Sequence, residues 1–113
     1  MRVIDGEQML MRVFVGEKDK HKGAPLYRAL VELFRREHLA GATVLRGTMG
    51  YGAKSVLHTA NVLRLSEDLP IVIEVVDAQD KIEAVLPLLD AMVDEGLITL
   101  EKVRVLRYAP RER

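Results

Sequence analysis

The pattern of apolar and polar positions predicts four strands and two helices. Strands are predicted at residues 9–15, 43–45, 71–76 and 97–108. Apolar residues recur at helical spacing after Pro25 and again between Asp77 and Gly96. The resulting order is β-α-β-β-α-β, which is typical of a ferredoxin-like fold. We therefore expect an α+β sandwich in which two helices cover one face of an antiparallel sheet.

Local signals predict where the two helices begin and end. Pro25 is tolerated in a first helical turn, and Gly41 is a natural stop for the first helix. Asp77 is an N-cap candidate for the second helix, with Asp80 in the capping-box position. Pro87 lies inside the second helix, where we expect it to remove one hydrogen bond or to introduce a kink.

One face of the predicted sheet has no helix to cover it. This face carries four apolar side chains: Leu10, Phe14, Val72 and Val76. A solvated face should be polar, so the pattern indicates a partner, and the simplest partner is another copy of the chain. Arg12 and Glu74 are predicted on neighbouring central strands of the same face, where they could pair.

Composition narrows the class of protein. The 113 residues hold 17 basic and 17 acidic side chains, a balance that argues against a general nucleic-acid binder. The absence of cysteine excludes disulfides, thiolate metal sites and cysteine nucleophiles. No segment approaches the ~20 apolar residues of a membrane span, and the N-terminus does not resemble a signal peptide. We expect a cytoplasmic protein with a single domain over residues 1–113 and a core at about residues 8–108.

A glycine-rich segment follows the second predicted strand. It contains Gly47, Gly50 and Gly52, and such a density of glycine indicates unusual backbone conformations or close approach to another group. Two interpretations remain open: a long hairpin connection, or a loop that serves a ligand or partner. The pattern G-x-x-G-x-G does not open a helix, so a dinucleotide-binding fingerprint is excluded.

Candidate chemistry is sparse. No catalytic set and no metal-ligand spacing is present among the histidines and carboxylates. The last predicted strand and the residues after it carry Lys102, Arg104 and Arg107. These cations indicate either an edge strand protected by charge or a phosphate-binding edge. The third predicted strand has no stacking aromatic residue, which excludes an RNA-recognition domain.

Three short motifs resemble a known family. Pro-Leu-Tyr at residues 25–27, Gly-Ala-Thr-Val-Leu-Arg-Gly at 41–47 and Gly-Tyr-Gly at 50–52 are similar to the uncharacterised branch of the PII-like signalling proteins. The resemblance covers about residues 8–108. It implies a homotrimer with its sheets facing inward, and ATP, ADP or AMP bound in clefts between subunits. It also implies a mobile signalling loop after Gly52 and, as a regulated target, a membrane transport protein.

The resemblance also implies which residues bind a small anionic effector. Gly50, Tyr51 and Gly52 match the base of the family's long loop, and Lys102 matches a phosphate-contacting lysine. Arg104 and Arg107 are added as candidates on their charge and location. We therefore expect a non-enzymatic regulatory protein that requires no cofactor. Two alternatives remain: a small ferredoxin-like enzyme in which an arginine and Asn61 would contact phosphate, or a structural or metal-tolerance trimer of related fold.

Overall fold

The computed structural model describes residues 4–52, 58–59 and 68–109. Eight strands and two helices lie within these described residues. In chain order they are β1 (Gly6–Gly16), β2 (Lys20–His21), β3 (Ala24–Pro25), α1 (Leu26–Arg36), β4 (Thr43–Arg46), β5 (Met49–Gly50), β6 (His58–Thr59), β7 (Pro70–Asp77), α2 (Gln79–Met92) and β8 (Leu97–Val105).

The main sheet has four strands in the order β4-β7-β1-β8, and every neighbouring pair is antiparallel. α1 precedes β4 in the chain, and α2 connects β7 to β8. The predicted α+β class with the ferredoxin-like order is therefore confirmed. β8 ends at Val105 rather than at residue 108, because its partner β1 begins at Gly6, which is the residue opposite Val105.

The hydrophobic core lies between the two helices and one face of this sheet. Alternate residues of β1 and β7 face it, as the period of two predicts. The core residues with almost no exposure are Met11, Val13, Ile73 and Val75 from the sheet and Leu30, Phe34, Ile82, Val85 and Leu89 from the helices. A shift of one residue in either central strand would expose its apolar set, so burial fixes the register of the sheet.

α1 ends before Gly41, as predicted, but the residue that terminates it is His38. His38 adopts a left-handed conformation with φ of 60°. Its N–H donates to Arg35 O at 3.1 Å, and the N–H of Leu39 donates to Phe34 O at 3.0 Å. These two bonds form a Schellman motif, and the buried Leu39 side chain joins the core beside Phe34.

α2 begins without the predicted capping box. Its N-cap is Ala78, and no side chain caps the helix. Asp77 instead remains paired with Met9 in the β-ladder and is fully buried. Its carboxylate accepts hydrogen bonds from Ala78 N at 2.7 Å and from Ala40 N at 2.9 Å. The N-cap assignment was therefore wrong, and Asp77 joins the start of α2 to the segment before β4.

The charged connection between β1 and α1 contains a short hairpin that the sequence pattern did not predict. β2 pairs with β3 across Lys22 and Gly23, whose φ angles are 51° and 83°. Two consecutive positive φ angles are typical of a type I′ hairpin turn. The second strand of the hairpin ends at Pro25, which is also the N-cap of α1.

Candidate functional site

The base of the glycine-rich segment lies at one corner of the sheet. β4 ends at Arg46, and the next residue, Gly47, donates its N–H to Pro70 O at 2.8 Å. β5 then pairs with β6 in a second, two-stranded ladder. The described part of this segment is therefore a hairpin connection at its base. The predicted mobile loop, from Gly52 to about residue 61, falls mostly outside the described residues.

The three glycines of this corner have different surroundings. A Cβ added to Gly47 would lie 2.6 Å from Pro70 Cγ, and one added to Gly50 would lie 3.1 Å from the same atom. A Cβ added to Gly52 would meet no described atom within 4 Å. The close approach of the Pro70 ring therefore excludes a side chain at Gly47 unless the ring moves, and it leaves only a tight fit for one at Gly50. Gly52 has no such reason within the described part of the chain.

Tyr51 stands between these glycines and is 71% exposed. Exposure of a large aromatic ring is informative only when it lies beside other candidate groups, since single exposed apolar residues are common. Met49, two residues earlier, is also exposed. The corner therefore presents an apolar surface beside the open backbone at Gly52.

The predicted cations of the last strand lie at another corner. Lys102 and Arg104 lie two residues apart on the same face of β8. Lys102 pairs with Met9 of β1, and Arg104 pairs with Glu7. Lys102 Nζ is 3.6 Å from Glu7 Oε1, and both side chains are largely exposed. An open depression at this corner is lined by Lys102, Arg104, Glu7 and the neighbouring backbone. Arg107 is exposed and follows the end of β8, so the ladder does not align it with the other two cations.

Within one subunit, these two groups of residues are far apart. The loop base lies at the β4 edge of the sheet, and the cations lie at the β8 edge. Pro70 pairs with Gly16 at one end of β1, whereas Lys102 pairs with Met9 near the other end. From the strand rise and spacing, about 25 Å separates Pro70 from Lys102. A single subunit therefore does not bring the loop base and Lys102 to the same small ligand.

The uncovered face of the sheet has a charged centre. Arg12 Nε donates to Glu74 Oε2 at 2.8 Å, which confirms the predicted pair. Arg12 Nη1 also donates to Glu101 Oε1 at 3.3 Å, a contact that the sequence did not predict. The hydrogen bond to Glu74, together with the charges of both carboxylates, raises the pKa of Arg12. The cation at the centre of this face is therefore already paired with two carboxylates.

Three observations bear on the alternative functions. Among residues 4–52, 58–59 and 68–109, no group of three or more histidine or carboxylate side chains is placed to hold a metal ion. Neither α1 nor α2 is long and apolar enough to cross a membrane. Asn61, which the enzymatic alternative requires, lies outside the described residues.

A four-stranded antiparallel sheet with two helices on one face is a ferredoxin-like fold, and solved structures of similar fold are PII-like proteins. CPII from Thiomonas intermedia K12, a nitrogen regulatory PII-like protein solved with ADP, AMP and bicarbonate, matches with a TM-score of 0.61. That match covers 89% of this chain and 90% of CPII at 18% sequence identity. A protein from Thermus thermophilus, described as PII-like, matches with a TM-score of 0.65 and 17% identity over 90% of this chain and 93% of its own. At these identities the likeness is one of fold.

The chain belongs to the DUF190 family (Uncharacterized ACR), which matches residues 8–105. A UPF0166 protein of Aquifex aeolicus is 36% identical over 106 residues, covering 94% of this chain and 98% of the relative. Membership of an uncharacterised branch with PII-like fold, predicted from the Pro-Leu-Tyr and glycine motifs, is confirmed.

Proposed function

We propose that the protein is a non-enzymatic PII-like regulator that assembles as a homotrimer and binds a small anionic effector between its subunits. The proposed effector is an adenine nucleotide, ATP, ADP or AMP, because CPII was solved with ADP and AMP on a similar fold. The chain would act as a single cytoplasmic domain. Its regulated target would be a membrane transport protein, as the family resemblance implies.

The main support for this proposal is the distance, within one subunit, between the glycine-rich loop base and the cations of β8. Gly50, Tyr51 and Gly52 lie at one corner of the sheet, and Lys102 lies at the diagonally opposite corner. These residues can surround one nucleotide if the first group comes from one subunit and the second from its neighbour. Backbone N–H groups at the loop base would then contact the phosphates together with Lys102 and Arg104, with Arg107 as a further cation.

The uncovered face supports the assembly. Phe14, Val72 and Val76 are half-buried on it, whereas Leu10 is already buried within the subunit; Leu10 pairs with Val76, and Phe14 pairs with Val72. An apolar face of this kind gains stability when another copy covers it. Light scattering is expected to give three times the 12.7 kDa mass of one chain. A monomer at micromolar concentration would contradict the proposed trimer.

The effector class is tested by calorimetric titration of the purified protein with ATP, ADP and AMP. Lys102→Ala removes one charge-assisted hydrogen bond and is expected to weaken binding about ten- to a hundredfold. Arg28→Ala is the matched control, since it removes a cation from the exposed side of α1. Equal affinity of wild type and Lys102→Ala would reject the site. Failure of all three nucleotides to bind wild type would reject the effector class.

A further inference from the structure

An ion pair with two close N···O contacts, one of them a hydrogen bond, joins the loop base to the end of β1. Arg46 Nε lies 2.9 Å from Glu17 Oε2, and Arg46 Nη2 donates to Glu17 Oε1 at 3.0 Å. Two nitrogen atoms of the guanidinium thus face the two carboxylate oxygens, which resembles the fork in which a guanidinium binds a carboxylate or a phosphate. The ligand set predicted from the sequence did not include Arg46.

The backbone fixes the position of both partners. Gly47 N, next to Arg46, donates to Pro70 O at 2.8 Å, and Glu17 N donates to Leu69 O at 2.8 Å. Arg46 and Glu17 therefore flank the start of β7 on its two sides. Their side chains meet across this strand, at the corner where Gly47 and Gly50 pack on the Pro70 ring. The guanidinium is thus held beside the backbone that the proposed effector would approach.

The same pair is open to competition. The side chain of Arg46 is 57% exposed, and that of Glu17 is 26% exposed. Exposed ion pairs contribute little net stability, so a ligand can break one without unfolding the protein. The contacts with Glu17 use two of the five guanidinium N–H groups. A dianionic phosphate group offers the same fork with more charge than a carboxylate.

We propose that Arg46 is an anion-binding residue at the loop base and that Glu17 is its internal competitor. An incoming phosphate group takes the two N–H donors that Glu17 holds in the free protein. The inference deepens the proposed function, on which it rests for the nucleotide, and it adds a residue and a means of tuning affinity. Glu17 lowers the affinity for every phosphate-bearing ligand at this corner by the free energy of the ion pair.

The test measures affinities for ADP and for inorganic pyrophosphate by calorimetry at one ionic strength. Glu17→Gln removes the negative charge that competes for Arg46 and leaves one amide oxygen as acceptor, so it is expected to bind both probes about two- to fivefold more tightly, the range that an exposed ion pair allows. Arg46→Ala is expected to bind about ten- to a hundredfold more weakly, and the double variant should match Arg46→Ala. Arg46→Lys keeps the charge but loses the fork, so it should also bind more weakly than wild type.

Glu32→Gln is the matched control, because Glu32 belongs to another exposed ion pair, 3.5 Å from Arg35 on α1. Its affinities should equal those of wild type, and an equal gain in this control would overturn the inference. Unchanged affinity in Glu17→Gln would overturn it too, even if ADP binds and Lys102→Ala weakens that binding. If pyrophosphate shows the Arg46 dependence and ADP does not bind, the inference stands and the nucleotide proposal fails. Binding of neither probe to wild type or Glu17→Gln would overturn both.

Discussion

Alanine substitution at Gly47, Gly50 and Gly52 separates structural glycines from those that are free to serve a ligand. None of the three has a positive φ, so their backbone conformations permit alanine. Steric contact then decides the outcome. The new Cβ would lie 2.6 Å from Pro70 Cγ at Gly47 and 3.1 Å at Gly50, and it would meet no described atom within 4 Å at Gly52.

The expected magnitudes follow from two opposing effects. Overpacking of this kind costs about 1–3 kcal/mol, whereas replacing glycine with alanine gains about 0.4–1 kcal/mol by restricting the unfolded chain. Gly47→Ala should therefore lower the free energy of unfolding by about 1–2 kcal/mol, or the midpoint temperature by about 4–8 °C in a domain of this size. Gly50→Ala should cost less, and Gly52→Ala should be neutral or slightly stabilising.

Thermal and urea denaturation of the three variants would measure these differences. Pro70→Ala supplies the second arm of a double-mutant cycle, because it removes the Cγ atom that Gly47→Ala would meet. The double variant should recover at least about 0.5 kcal/mol relative to the sum of the single changes. Equal stability of Gly47→Ala and Gly52→Ala, or strict additivity with Pro70→Ala, would refute the reasoning.

Two further predictions concern groups outside the loop base. Asp77→Ala leaves the N–H groups of Ala40 and Ala78 without this acceptor. It should lower the free energy of unfolding in urea by about 2–5 kcal/mol, and a loss below about 1 kcal/mol would contradict the bridging role. The raised pKa of Arg12 contributes stability that is present below its unfolded pKa and is lost only as the pH rises through the higher folded value. The difference in midpoint temperature between wild type and Arg12→Met should therefore be constant between about pH 6 and pH 9. A difference that shrinks across that range would show that another group titrates.

The strands and the core were predictable from the sequence because one face of each central strand is buried. Period-two alternation in β1 and β7 identifies the buried set, and it also led to the pair between Arg12 and Glu74. The ends of the helices were less predictable. Asp77 carries a local capping signal, but its ladder with Met9 holds it in the strand. Tertiary pairing overrides the local preference there.

Left-handed residues account for two of the remaining differences. His38 ends α1, and Lys22 occupies the hairpin turn, each with positive φ. Such a conformation is uncommon outside glycine, so neither residue gives a recognisable signal in the sequence. The sequence pattern instead predicted Gly41 as the stop of α1, and it did not predict the hairpin.

The sequence predicted which residues are candidates for the site, but it did not predict how the fold arranges them. A run of glycines gives the same pattern whether the backbone approaches a ligand or a side chain of its own subunit. Pro70, which explains Gly47 and Gly50, is distant in the sequence, so its contact appears only in the fold. The fork between Glu17 and Arg46 is missed for the same reason, since these residues meet across β7.

The positions of the candidate residues within the subunit predict that effector binding depends on trimer assembly. The loop base and Lys102 lie at diagonal corners of one sheet, so the proposed effector site is completed only by a neighbouring copy. Phe14→Asp places a charge on the uncovered apolar face, where burial against another copy would cost several kcal/mol. The variant should therefore be monomeric by light scattering. It should also lose ADP binding, although Phe14 belongs to neither group of ligand residues. Circular dichroism like that of wild type would establish that the variant is folded. A folded monomer that binds ADP with unchanged affinity would place the whole site within one subunit and contradict the argument.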